Sequence, residues 1–229
     1  MGKKCNRGGP ASVRRIIIVC EGPTEKEFCK DVLQAYFNPI GIFLHTPLIK
    51  KSKGGIVPWQ ALKRELENHL KQDQEAIVTT LIDYYGIQPK HQFPDWDGSL
   101  EISDKYSRIT HLENSMLQAI SPPLQSRFIP YIQLHEFECL LFNNIQAFED
   151  NLGADEFSDK SELINTLNQF PNPELINDTP DNAPSYRLNR LIIGYNKVVY
   201  AAIISQSIGL QNIRNKCPRF NRWIQLLEA

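Results

Sequence analysis

The chain has almost no net charge: 25 lysines and arginines stand against 26 aspartates and glutamates in 229 residues, a balance of −1. A total that small excludes recognition of a polyanion or a membrane by bulk charge, so such a partner would have to be met by a local patch. Closely spaced cysteines are missing too. The five present, Cys5, Cys20, Cys29, Cys139 and Cys217, are odd in number and form no C-x-x-C, which argues against a secreted disulfide framework and against a structural zinc site. Apolar runs are short: residues 16–20 and 191–193 fall far below the roughly 20 residues that span a bilayer. No hydrophobic segment of a secretory signal follows the basic N-terminus, and Asn6 stands where a myristoylation motif needs Ser or Thr. Gly8-Gly9 and Gly54-Gly55 lack the spacing of a P-loop or a dinucleotide fingerprint, so any ATPase activity belongs to a partner. These absences predict a cytoplasmic protein with a flexible basic arm over 1–14.

What remains is ordinary globular material, 41% hydrophobic, long enough to bury a substantial core. β-Branched runs predict strands over 16–20, 42–49, 76–82 and 128–134. Between them, apolar residues recur at helical spacing: Phe28, Val32, Leu33 and Tyr36, behind a capping box of Thr24 and Glu27; then Trp59, Leu62, Leu66 and Leu70, behind Pro58; then Ile102, Tyr106, Ile109, Met116, Leu117 and Ile120, stopped by Pro122-Pro123. The stretch 84–100 is rich in Pro, Gly, Asp and aromatics and predicts a long loop, a kind of segment that often carries function. The order β-α-β-α-β-α-β implies an α/β fold, a mostly parallel four-stranded sheet with helices on both faces. A core over 15–143 and a mainly helical extension over 144–229 follow.

Three predicted strands end in a carboxylate: Glu21, Asp83 and Glu136. Ligands of open parallel sheets bind at that edge, and acids gathered there need a cation or raised pKa values. Oxygen ligands suit Mg²⁺ or Mn²⁺ better than zinc. Taken singly, each acid is as well explained as a turn residue or a helix cap. Glu138 is a further candidate ligand, with Asp95 and Asp97 behind it. Glu25, in a first helical turn, favours the helix dipole whatever else it does. His135 is either a base or a hydrogen-bonded strand end; H-E-F-E-C is not the H-E-x-x-H of zinc proteases.

Charge is unevenly spread. From His135 to Asp181 eleven acids face one base, Lys160, whereas from Asn182 onward seven bases face one acid, Glu228. Arg187 and Arg190 share a helical face, and Arg214, Lys216 and Arg219 cluster near Trp223. These five are candidate nucleic-acid contacts, or else two segments of opposite charge pack together. Lys50, Lys51 and Lys53 form a charge run best read as solvated.

The nonapeptide IIVCEGPTE, residues 17–25, resembles the first motif of Toprim domains, which occur in topoisomerases, bacterial primases, a ribosomal-RNA maturase and the overcoming-lysogenization-defect nucleases. That resemblance implies a general acid/base or ligand role for Glu21 and a Mg²⁺-ligand role for Asp83, the first residue of an Asp-x-Asp motif. Tyr85 replaces the second aspartate, and Glu136 with Glu138 are the acids available to complete the set. The segments VTTLIDYYG, IQLHEFECLLF, APSYRL and IGLQNIRNKCPRFNRW look like those of a bacterial Toprim-related family of unknown function. Its members resemble antiphage effectors encoded beside an ABC-type or AAA ATPase. The resemblance thus implies a Mg²⁺- or Mn²⁺-dependent nuclease acting on DNA or RNA. The alternatives are a non-catalytic binding or regulatory subunit with a degenerate site and, more remotely, a nucleotidyl-transfer role.

Overall fold

A computed structural model describes residues 14–50, 52, 55–176 and 180–229. Most of the expected basic arm, together with Lys51 and Lys53, lies outside those residues, and Arg14 belongs to the first strand. The strands are β1 (Arg14–Cys20), β2 (Ile42–His45), β3 (Ile77–Asp83), β4 (Phe128–Ile129) and β5 (Ile132–Gln133), all paired in parallel in the order β2-β1-β3-β4, with β5 also on β3. The α/β class and the helices on both faces are as the sequence predicts.

The fourth strand is cut in two at Pro130, which has no N–H to give to a ladder. Its register against β3 continues across the break (Thr79 opposite Ile129, Ile82 opposite Ile132). The Thr80 hydroxyl bridges the gap, accepting from Tyr131 N at 3.0 Å and donating to Tyr131 O at 2.9 Å. The second strand is shorter than predicted. It ends at His45, before Pro47, and only an isolated bridge from Cys20 to Leu48 continues it.

Strand alternation divides the core. Ile16, Ile18, Cys20 and Leu81 face one hydrophobic cluster; Ile17, Val19, Val78 and Ile82 face the other. The second cluster is closed by α3 (Trp59–Gln72) and α5 (Lys105–Ala119). The predicted loop 84–100 holds two 3₁₀ turns and the short α4 (Trp96–Leu100).

The first cluster is closed from both ends of the chain. From the N-terminal side comes α1 (Pro23–Phe28), continued by a π-helical turn (Cys29–Leu33) and α2 (Gln34–Phe37). From the C-terminal side come α6 (Ile145–Glu149), α7 (Lys160–Gln169), α8 (Pro184–Leu191), α9 (Lys197–Ile208), α10 (Leu210–Lys216) and α11 (Pro218–Glu228). The tightest anchor is Trp223 of α11. Its ring stacks on Tyr131 at 4.5 Å and its Nε1 donates to Thr79 Oγ1 at 2.9 Å. The segment after 143 therefore supplies one of the two layers covering the sheet. Among the described residues no helix is long and apolar enough to cross a membrane.

Candidate functional site

The capping box predicted at Thr24 and Glu27 forms two residues earlier. Gly22 is the N-cap, and Glu25 reaches back to accept the Gly22 N–H at 2.9 Å. This turns the Glu25 carboxylate inward, and the residue is buried at 3% exposure. Parallel pairing of β1 with β3 sets their C-terminal ends side by side: Glu21 N donates to Leu81 O, and Glu21 Oε2 accepts from Asp83 N at 2.9 Å. The Asp83 Oδ1 accepts from Phe137 N at 2.9 Å.

Phe137 reaches that position because His135 adopts a left-handed φ of 70°, costly for a residue with a side chain and characteristic of functional turns. The turn aims a 3₁₀ segment (Phe137–Leu141) back across the strand ends and places Glu138, fully buried, beneath the first residue of α9. Lys197 Nζ stands 2.8 Å from Glu138 Oε1, at ion-pair distance but off the hydrogen-bonding angle, so neither Glu138 oxygen accepts a hydrogen bond.

Glu21, Glu25, Asp83 and Lys197 line one cavity of about 160 Å³, with Val198 and the turn Gly22-Pro23-Thr24. Its electrostatics follow from burial. Burial first, then the charges of Glu25, Glu21 and Glu138, push the Asp83 carboxyl well above its usual pKa. Burial also raises Glu25 and Glu21, opposed in part by hydrogen bonds from Gly22 and Asp83 and by Lys197. Glu138 is pushed up to about 7, again chiefly by burial. For Lys197, burial acts downward, but Glu138 and Asp83 outweigh it and hold the ammonium charged. Its side chain is still 46% exposed, so it faces both the acids and solvent.

Glycine completes the packing. A Cβ on Gly86 would lie 2.9 Å from Glu21 Oε1, and one on Gly22 would lie 3.1 Å from Glu25 Oε2. Neither glycine has a positive φ, so each is needed for the space it leaves beside a carboxylate.

Of the residues predicted from the sequence, Glu21, Glu25, Asp83 and Glu138 are brought together. Glu136 is turned to α8, where its carboxylate accepts from Ser185 N at 2.9 Å and Ser185 Oγ at 3.0 Å, a favourable place for an acid at a helix N-terminus. His135 lies outside the cavity lining, 3.5 Å from Lys105 and against the Tyr85 ring. Its pKa falls to about 3 by burial and the nearby Lys105 charge, so it is neutral at ordinary pH. Asp95 pairs with His111 at 2.7 Å, and Asp97 sits in the first turn of α4.

The five basic candidates each meet a partner within the chain. Arg187 is buried and donates to Asn182 O; Arg190 pairs with Glu162; Arg214 pairs with Glu228; Lys216 donates to Asn143 O; Arg219 pairs with Glu113 at 2.6 Å. Packing of oppositely charged segments, one of the readings of the charge pattern, is visible in Arg190 on Glu162 and in Lys197 on Glu138.

Lys197 and Gly86 were not singled out from the sequence. The available signal for Lys197 was a lone cation in the first turn of an apolar helix, where it opposes the helix dipole and needs a local anion. No group of three or more His, Cys, Asp or Glu side chains among the described residues is arranged as a ready-made metal-holding set, and the Lys197 ammonium lies beside the acids. The sequence pattern of a domain family of unknown function, DUF4276, matches residues 20–228. No curated protein and no solved structure matches the chain.

Proposed function

We propose that this chain, which belongs to the domain family of unknown function DUF4276, is a divalent-metal-dependent phosphodiesterase that cleaves DNA or RNA. The observation that carries this reading is the meeting of Glu21, Glu25 and Asp83 in one cavity at adjacent parallel strand ends, all with raised pKa values. Buried carboxylates that repel one another are relieved by a hard cation. The hydrogen bonds described above leave Glu21 Oε1, Glu25 Oε1 and Asp83 Oδ2 over. Oxygen donors of this kind suit Mg²⁺ or Mn²⁺; the three carboxylates are not a ready-made set without the ion and would hold it between them once it binds. When bound, such an ion polarises a phosphoryl oxygen and acidifies a water.

The rest is done by the chain's own groups. Asp83 is fixed by the Phe137 N–H, and Glu21 by the Asp83 N–H. Glu21, whose pKa burial raises, would take up the proton released by the attacking water. Lys197, held by Glu138 and half exposed, donates to a phosphoryl oxygen where negative charge develops. The five arginines and lysines expected to grip a nucleic acid have internal partners, so phosphate contact falls first to Lys197. In the same reading the protein is a cytoplasmic antiphage effector acting with an ABC-type or AAA ATPase, since the sequence has no P-loop.

A second reading is favoured by the 2.8 Å approach of Lys197 to Glu138. There the ammonium serves in place of the cation, and the chain is a non-catalytic binding or regulatory subunit. Glu21→Gln and Asp83→Asn decide between them, because both keep the hydrogen-bonding oxygen and remove the charge. Each is expected to abolish Mg²⁺- or Mn²⁺-dependent cleavage of labelled DNA or RNA with an unchanged circular dichroism spectrum. Cleavage retained by both variants, or calorimetry showing no binding of either ion to the parent protein, rejects the catalytic reading.

A further inference from the structure

Lys197 lines two cavities: the acidic one, and a second recess of about 270 Å³ whose other walls are Ser185, Tyr186 and Asn189 of α8 and Tyr195. The walls of this recess have a consistent chemistry. Tyr186 is 62% exposed, a large aromatic face held in solvent. An exposed ring at the edge of the recess offers a face on which a planar group can stack. The Tyr195 hydroxyl is buried and makes no hydrogen bond, while its ring is stacked on Tyr200 at 5.6 Å and so cannot easily turn away. The hydroxyl is closed off from solvent, so Tyr195 gives the recess the wall of its ring and not its hydroxyl. Asn189 adds an exposed carboxamide, both donor and acceptor. Ser185 is held in place by Glu136, which fixes the rim of the recess.

We infer that this recess takes a single unpaired nucleobase of the strand whose phosphate is presented to Lys197 and the acids, so that the substrate is single-stranded nucleic acid rather than duplex. The inference rests on the phosphodiesterase reading for the identity of the ligand as a nucleic-acid strand. An aromatic face for stacking with an amide for the base edge is the usual equipment for holding unpaired bases. A base engaged in a duplex has its faces covered and its edge paired, and would have to be extruded before it entered such a recess. Lys197, shared by both spaces, sets the phosphate next to that base at the acidic cavity.

The test is equilibrium binding in EDTA, where no cleavage occurs, followed by anisotropy of a labelled octanucleotide of mixed sequence, as DNA and as RNA. The single strand is expected to bind at least tenfold tighter than its duplex. Tyr186→Ala should weaken single-strand binding roughly tenfold, the size of one lost stacking contact, Asn189→Ala should weaken it by a smaller factor, and Tyr195→Phe, whose hydroxyl is closed off from the recess, should leave it unchanged. Tyr186 and Asn189 are exposed and Tyr195→Phe removes one atom, so these variants keep the fold. Equal affinity for duplex and single strand, or affinity unchanged in Tyr186→Ala, overturns the inference. Displacement of the label by a free nucleoside monophosphate as effectively as by unlabelled octanucleotide also overturns it, since the recess would then serve nucleotides and not a strand. Because binding is read without metal, absence of Mg²⁺-dependent hydrolysis would remove the proposed reaction and leave this result standing.

Discussion

Lys197 Nζ lies 2.8 Å from Glu138 Oε1, and Glu138 is a fully buried carboxylate that accepts no hydrogen bond. Without that ammonium the strand ends would present Glu21, Glu25, Asp83 and Glu138 to one another with no counter-charge. Lys197→Met keeps the aliphatic stem and removes the charge. Breaking a buried pair costs about 3–5 kcal/mol, and because this lysine is half exposed the expected loss is smaller, about 1–3 kcal/mol. Urea unfolding at pH 8 should show the drop, and much of it should disappear at pH 5, where the acids take up protons. An unchanged midpoint at pH 8 would mean that the lysine is not the counter-ion.

The parent protein should itself lose stability as pH rises. Glu138 has a pKa of about 7 in the folded state against 4.5 for a free glutamate. Between those values the folded state holds more protons than the unfolded one, so stability is full below about 4.5 and is lost as pH rises through 7. For one such group the loss is on the order of 3 kcal/mol, and the raised Asp83, Glu21 and Glu25 act in the same direction. Glu138→Gln removes this contribution and the carboxylate's repulsion on Asp83 and Glu21. Unfolding midpoints measured from pH 4 to 8 should therefore fall more gently in the variant, and identical slopes would rule out Glu138 as their source.

Gly86 gives a test of geometry without a change of charge. Its added Cβ would lie 2.9 Å from Glu21 Oε1, so Gly86→Ala must displace that end of the carboxylate, whose other oxygen accepts from Asp83 N. The residue ends a 3₁₀ turn and has no positive φ, so the backbone accepts alanine. Displacements of about 1 Å at a reacting group commonly cost on the order of 100-fold in rate. Cleavage should fall by that order while the thermal midpoint moves little. Gly55→Ala, whose Cβ meets nothing within 4 Å, is the control.

How much of this was legible beforehand depends on the range of the interaction. Strands β1 and β3 were readable because buried parallel strands are continuous apolar runs, and their terminal acids came with them. Pro130 was visible in the sequence, but its splitting of the fourth strand depends on a hydroxyl, Thr80, 50 residues away. Glu136 and Glu138 looked equivalent at spacing two. A left-handed His135 and a 3₁₀ turn, neither coded by periodicity, send one to α8 and the other to the acids. Lys197 was hidden for the same reason: its partners come from three distant segments. Charge pattern alone suggested a nucleic-acid grip at Arg214 and Arg219, where the fold shows pairs with Glu228 and Glu113.

The C-terminal helices are predicted to be inseparable from the sheet. They cover one face of it, and α11 is pinned through Trp223, which is 2% exposed, stacked on Tyr131 and bonded to Thr79. Trp223→Ala removes the stack, the hydrogen bond and the buried area together and should cost about 3–5 kcal/mol. Trp223→Phe keeps an aromatic and should cost less, though the Thr79 hydroxyl loses its donor. A fragment ending at residue 143 would expose the face of Ile16, Ile18 and Leu81, an apolar patch of the kind that drives association. It should therefore be recovered as aggregate, and the full chain as folded protein. A soluble, cooperatively unfolding 14–143 fragment would show instead that the helical region is appended to a unit able to fold alone, and that the Lys197–Glu138 pair joins it to that unit.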